Sequence, residues 1–143
     1  MKVQIRQAEK ADYDALREIY FQSRNRHFKW LAPSSIAPED FDKDTEDEFI
    51  LIAADGERVL GFSSVWVPTH FIHHLFVHPD FAGQGVGTAL LEACCERFVS
   101  PRPTLKCVAA NTSALNFYQS RGWTILEQGT SEDGPYYLME YTA

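Results

Sequence analysis

One stretch constrains the fold more than any other. Residues 75–98 read LFVHPDFAGQGVGTALLEACCERF: an apolar run of strand character, glycines at 83, 85 and 87, then a segment with Leu90, Leu91, Cys94 and Phe98 on one side of a helix. A strand passing to a helix through glycines is an α/β signature. Such a turn also gathers backbone N–H groups with no carbonyl partner at the positive end of the helix dipole, which suits an anion. Glycine lets the backbone approach that anion without side-chain interference. Two familiar phosphate loops do not fit. A dinucleotide loop starting at Gly83 needs glycine at 88, where Thr88 stands, and a Walker loop needs a lysine that none of these glycines precedes.

The other segments alternate in the same style. Residues 2–8 alternate as a strand with one buried face, and Asp12 can cap a helix carrying Tyr13, Leu16, Ile19 and Tyr20 at helical spacing. Residues 24–48 lose periodicity except for a short helix near 38–47. FILIAA and RVLGFSSVWV flank Asp55-Gly56 as a hairpin, and HFIHHLFV is a further strand. A helix over 85–99 and a strand over 104–110 follow. Asn111 caps a helix stopped by Gly122, and WTILEQ and YYLMEYT close the chain as strands around a polar turn at 129–134. The predicted order is β-α-α-β-β-β-α-β-α-β-β, with a mixed sheet, in a single domain spanning 1–143.

Charge and cysteine usage narrow the function. A net charge of −7 argues against nonspecific nucleic-acid binding. Apolar runs stop well short of the roughly 20 residues a membrane span needs, and the N-terminus lacks the apolar stretch of a secretory signal, so a cytoplasmic location is expected. Cys94, Cys95 and Cys107 have no CxxC spacing and read as small core residues. The histidines at 70, 73, 74 and 78 raise the question of a metal. On a strand, His70, His74 and His78 share a face but stand about 13 Å apart in succession, whereas zinc takes ligands at about 2 Å. No metal is expected.

The string around the glycines resembles the acetyl-CoA-binding motif of the GNAT (Gcn5-related N-acetyltransferase) superfamily, V-x-P-x-[YF]-[RQ]-x-x-G-x-[GA]-[ST]-x-L-L. Val77, Pro79, Phe81, Gly85, Gly87, Thr88, Leu90 and Leu91 fall on their positions, while Ala82 holds the place of Arg or Gln. NTSALNFYQSRGW is similar to the family's later motif through Asn111, Ala114, Phe117, Tyr118, Gly122 and Trp123. The resemblance implies a three-layer α/β sandwich around a mixed sheet of about seven strands. It also implies an acetyl-CoA-dependent N-acetyltransferase acting on a primary amine of a small molecule or peptide by direct attack in a ternary complex. The rival is a noncatalytic acyl-CoA-binding or sensor module with the same fold.

The same resemblance suggests roles. Leu75, Phe76 and Val77, on a strand that splays from its neighbour, offer backbone groups to pantetheine, and an N–H near Phe76 or Val77 polarises the thioester. The loop Ala82, Gly83, Gln84, Gly85, Val86, Gly87 and Thr88 takes the pyrophosphate. Asn111 and Asn116 lie where the later helix meets the cofactor, although Asn111 is a good cap and Asn116 can be simply solvated. Tyr118 is the general acid or a core-edge aromatic; a phenol with an ordinary pKa near 10 keeps its proton at neutral pH. His73 is the candidate base, with a water chain as the alternative. Phe28 and Trp30, in the variable segment 24–36, line an acceptor pocket or anchor the loop. An exposed edge at the C-terminal strands would allow a homodimer.

Overall fold

The computed structural model describes residues 2–27, 40–132 and 134–143, with the side chains of 24–27 outside that description. Phe28 and Trp30 therefore lie outside the described residues. Hydrogen bonding joins seven strands into one mixed sheet of order β1-β2-β3-β4-β5-β7-β6. These are β1 (Gln4–Gln7), β2 (Phe49–Asp55), β3 (Arg58–Trp66), β4 (Phe71–Val77), β5 (Thr104–Val108), β6 (Trp123–Ser131) and β7 (Gly134–Tyr141). The helices are α1 (Tyr13–His27), α2 (Asp40–Asp44), α3 (Val86–Arg97) and α4 (Thr112–Ser120). This is the predicted order of elements. The chain divides into two compact units, residues 1–65 with 74–93, and residues 66–73 with 94–143.

In the first unit β2 pairs antiparallel with β1 and with β3, and Gly56 supplies the positive φ of 62° that the tight hairpin requires. Asp12 does not cap α1 as expected. It closes a 3-10 turn over Lys10–Asp12, accepting the Glu9 N–H at 2.7 Å and both ends of the Arg6 guanidinium at 2.8 and 2.9 Å. That charge-assisted pair holds the Asp12 carboxyl below the usual carboxylate range. The face of α1 predicted from periodicity is buried: Leu16, Ile19 and Tyr20 pack with Phe41, Ile50, Ile52 and Phe62. Aromatic edges organise this core, with Phe41 and Phe62 near perpendicular at 5.2 Å and Tyr20 edge-on to Phe41 at 5.9 Å. Each such pair contributes about 0.5–1.5 kcal/mol beyond area burial and fixes the ring planes.

In the second unit β4 begins parallel to β5, and β7 lies between β5 and β6 in two antiparallel ladders. The closing hairpin is tighter than the predicted turn at 129–134, because Thr130 pairs with Pro135 and Ser131 with Gly134. The physical reason is Gly129. A Cβ there would lie 2.5 Å from the Tyr136 ring, so the glycine makes room for an aromatic cross-strand neighbour instead of making a turn. Trp123 and Met139 anchor the core of this unit, and Trp123 packs against the rings of Tyr118 and Tyr141 at 6.1 and 5.6 Å. Cys94 and Cys107 are buried and Cys95 is half-buried.

Candidate active site

Two prolines shape the ends of β4. Pro68 sits in a 3-10 turn over Val67–Thr69 that ends with His70 in the left-handed region at φ 54°, and Pro79 begins a 3-10 turn over Pro79–Phe81. Contrary to the single-strand reading of the histidines, His70 and His78 are therefore not on the strand at all. His70 donates from Nδ1 to the Pro101 carbonyl at 2.7 Å, and His78 Nδ1 caps the second turn by accepting the Asp80 N–H at 3.1 Å. Only His73 and His74 remain on β4, with His73 exposed and His74 half-buried.

The three glycines of the loop do different jobs. Gly83 and Gly85 have φ of 76° and 83°, and a Cβ at either would meet nothing within 4 Å, so these positions need glycine for conformation and not for room. Gly87 lies inside α3. The first helical bond at this end runs from Ala89 N–H to Gly85 C=O at 3.0 Å, which leaves the backbone N–H groups of the opening turn, from Val86 on, directed out of the helix end. Ala82, Gly83, Gln84 and Gly85 are exposed, whereas the Val86 side chain is 2% exposed and anchors the start of the helix. The geometry suits backbone recognition of an anion, and Val86 can take part only through its amide.

Along β4, the ladder to β5 consists of Phe71 with Thr104 and Ile72 with Leu105. Residues 73–77 are not part of it. Leu75, Phe76 and Val77 are half-buried, and the Phe76 ring sits 5.5 Å from Tyr20 and 5.9 Å from Phe62. The buried Ser23 hydroxyl of α1 donates to the Val77 carbonyl at 3.2 Å. Across from this segment, a Cβ on Gly61 of β3 would approach the Phe76 carbonyl oxygen to 2.7 Å and Val77 Cα to 3.2 Å. Gly61 thus permits a close approach that no turn motif signals, and it is a site residue the sequence reading missed.

In the second unit, Asn111 caps α4 by accepting the Ala114 N–H at 3.1 Å, so its side-chain oxygen is engaged, while Asn116 is exposed. Tyr118 is half-buried, edge-on to Phe117 at 5.4 Å. Burial first, and then the field of the neighbouring Cys107, push the Tyr118 phenol above its ordinary value. Burial likewise raises the Cys107 thiol, so both groups keep their protons at neutral pH.

A mixed sheet with a left-handed glycine pair opening a helix defines an α/β protein with an anion-ready strand-to-helix turn. Residues 7–123 match the Acetyltransferase (GNAT) family, and the chain belongs to that family. It is 29% identical to the uncharacterized N-acetyltransferase MJ1207 of Methanocaldococcus jannaschii over 83% of this chain and 59% of that protein. It is 33% identical to the peptidyl-lysine N-acetyltransferase YiaC of Escherichia coli over 49% of this chain and 46% of that protein. The chain thus spans about half the length of these curated relatives. Its fold is similar to that of apo YjaB from Escherichia coli, with a TM-score of 0.82, 20% identity and 99% and 98% of the two chains covered. It is also similar to the PaiA N-acetyltransferase of Thermoplasma acidophilum in complex with coenzyme A, with a TM-score of 0.80, 16% identity and both chains covered at 100%.

Proposed function

We propose that this chain transfers an acetyl group from acetyl-CoA to a primary amine of a small molecule or peptide within a ternary complex. The observation that carries this reading is the turn of Gly83 and Gly85, which directs the opening amides of α3 outward from an exposed loop where a pyrophosphate can be held. Residues 73–77 of β4, outside the ladder to β5, support a role for Leu75, Phe76 and Val77 in meeting the pantetheine arm. Asn111 and Asn116 border the cofactor in this reading, Asn111 through its amide nitrogen since its oxygen caps α4.

In the reaction the neutral amine attacks the thioester carbonyl, a backbone N–H of 76–77 stabilises the oxyanion, the C–S bond breaks, and the thiolate takes a proton from Tyr118. A phenol raised by burial is still protonated across the neutral range, as this step requires. The amine's proton goes to a base on β4, where the motif spacing taken alone points to His73, which is exposed, with a water chain as the alternative. A peptidyl-lysine acetyltransferase among the relatives makes lysine side chains of peptides the first acceptors to try.

A panel of amines, monitored for free CoA thiol, tests the proposal. Turnover with one of them is expected. Acetyl-CoA binding by calorimetry without turnover on any amine would assign the noncatalytic acyl-CoA-binding module instead, and no binding at millimolar acetyl-CoA would sink both. We place the reaction in the cytoplasm; among the described residues no helix is long and apolar enough to cross a membrane. A homodimer through β6 is part of the same reading, since this strand ends the sheet order with Ile125 and Leu126 exposed.

A further inference from the structure

On the inner side of β4, His74 belongs to a chain of hydrogen bonds that neither motif contains. Its Nδ1 is 2.7 Å from the Ser64 hydroxyl of β3, and its Nε2 is 3.4 Å from the Tyr20 hydroxyl of α1. The Tyr20 hydroxyl in turn donates to Asp44 Oδ2, in the last turn of α2, at 2.6 Å. Glu48 Oε1 stands 3.8 Å from His74 Nδ1, and these two side chains are only 7% and 10% exposed. Three separate segments thus deliver polar groups to one imidazole, and α2 reaches it through Tyr20, inside an aromatic core where Tyr20 and Ser64 are 3% and 0% exposed.

The chemistry of these groups sets the direction of the chain. An ionised carboxylate only accepts, so the single phenolic proton of Tyr20 goes to Asp44. The Tyr20 oxygen is then left to accept, and His74 Nε2 must be the protonated nitrogen. Nδ1 consequently carries the lone pair, which receives the Ser64 hydroxyl. The neutral network reads Ser64 O–H to Nδ1, Nε2–H to Tyr20, Tyr20 O–H to Asp44. A proton arriving at Nδ1 turns Ser64 from donor to acceptor and faces Glu48, while Nε2 can release its proton to Tyr20 as Tyr20 passes its own to Asp44. One proton enters, one reaches a half-buried carboxylate, and no other bond changes. The arrangement resembles a nucleophilic serine site only superficially, because Ser64 is fully buried and meets no substrate.

We propose that the His74–Tyr20–Asp44 chain is the proton relay of the acetyl-transfer site, so that His74, and not the exposed His73, sets the acidic limb of the pH–rate profile. This rests on the acetyltransferase reading above. Among the described residues, titratable groups that face His74 include Asp44 through Tyr20, Glu48, and its own neighbour on the strand, His73. A proton held on His74 therefore has a carboxylate on each side. In this scheme Tyr20 and Asp44 are positioning residues: they act on the amine through His74.

The experiment uses the full chain labelled with nitrogen-15 at histidine. Two-bond proton–nitrogen spectra are expected to show neutral His74 as the Nε2–H tautomer. Tyr20→Phe, which keeps the buried ring and removes only the hydroxyl, should lower the His74 titration midpoint by about one pH unit, the excess of a hydrogen bond from the charged ring over the one the neutral ring already makes. An Nδ1–H tautomer in the wild type, or an unmoved midpoint in Tyr20→Phe, would overturn the relay. The kinetic arm measures kcat/KM against pH with acetyl-CoA and a blocked lysine peptide. The acidic limb should move to lower pH in Tyr20→Phe, disappear in His74→Gln and persist in His73→Ala; a limb that follows His73 would overturn the proposal. Spectra that support the relay in a protein transferring acetyl to no amine would refute the acetyltransferase reading alone.

Discussion

Gly61→Ala is the sharpest test of how the fold builds its site. The added Cβ would lie 2.7 Å from the Phe76 carbonyl oxygen and 3.2 Å from both Val77 Cα and Val86 Cγ1. Ordinary contact begins at 3.4 Å, so β3 and β4 must separate locally by about 0.7 Å. Two of the three opposing atoms are backbone, and no rotamer change relieves them. Overpacking of this kind costs about 1–3 kcal/mol, which in a chain of this length lowers Tm by roughly 4–12 °C. The displaced backbone is the segment proposed to meet the thioester, and Val86 opens the helix proposed to hold the pyrophosphate. A misplacement of that size should reduce kcat/KM for acetyl-CoA about tenfold or more at temperatures where the variant is fully folded. Calorimetric melts and steady-state kinetics at 15 °C, well below either Tm, separate the two effects. Gly56→Ala is the control: it strains a φ of 62° in the hairpin but meets no atom within 4 Å, so it should lose stability without losing activity. A Gly61→Ala protein with wild-type Tm and wild-type kcat/KM would refute the close-approach argument.

Tyr118→Phe should lower kcat at least about tenfold at saturating acetyl-CoA, and unchanged turnover would remove the acid role; because the phenol is raised, no alkaline limb below about pH 10 is expected from this residue. Gly85→Ala forces a side chain into φ 83° at a cost of about 1–2 kcal/mol, so the loop should reorganise and the Kd of acetyl-CoA, read by calorimetry, should rise about tenfold. The Asp12 carboxyl, held low by Arg6 and the Glu9 N–H, stabilises the fold above its ordinary value near 4 and loses that contribution as pH falls through its depressed folded-state value. Denaturant titrations from pH 5 down to 2 should therefore show a smaller acid destabilisation in Asp12→Ala, which at pH 7 starts about 1 kcal/mol less stable through the lost turn closure.

Local chemistry was readable in the chain; distant convergence was not. Asp55-Gly56, Asn111 and Gly122 each announce a turn or cap through their own backbone preferences, and the structure uses them so. The glycine loop was legible as an anion-ready turn, though only the backbone angles separate Gly83 and Gly85 from the helical Gly87. The histidine run misled because Pro68 and Pro79 cut the strand shorter than its apolar letters, taking His70 and His78 into 3-10 turns. Gly129 looked like a turn residue and is instead the floor beneath Tyr136. Tyr20, Asp44, Ser64 and His74 share no spacing in the chain and meet only because an aromatic core brings four segments together. No periodicity could have paired them.

The packing of Trp123 gives the protein an intrinsic optical reporter. Its indole is 2% exposed, its N–H has no hydrogen-bond partner among the described residues, and its nearest rings are those of Tyr118 and Tyr141. An indole so enclosed emits at short wavelength and resists iodide quenching, whereas Trp66, 41% exposed, is quenched first. With Trp30, the third tryptophan of the chain, replaced by Phe and the Trp66 signal subtracted, the Trp123 emission senses changes at the neighbouring phenol, so rearrangement around Tyr118 can be followed in real time without any label.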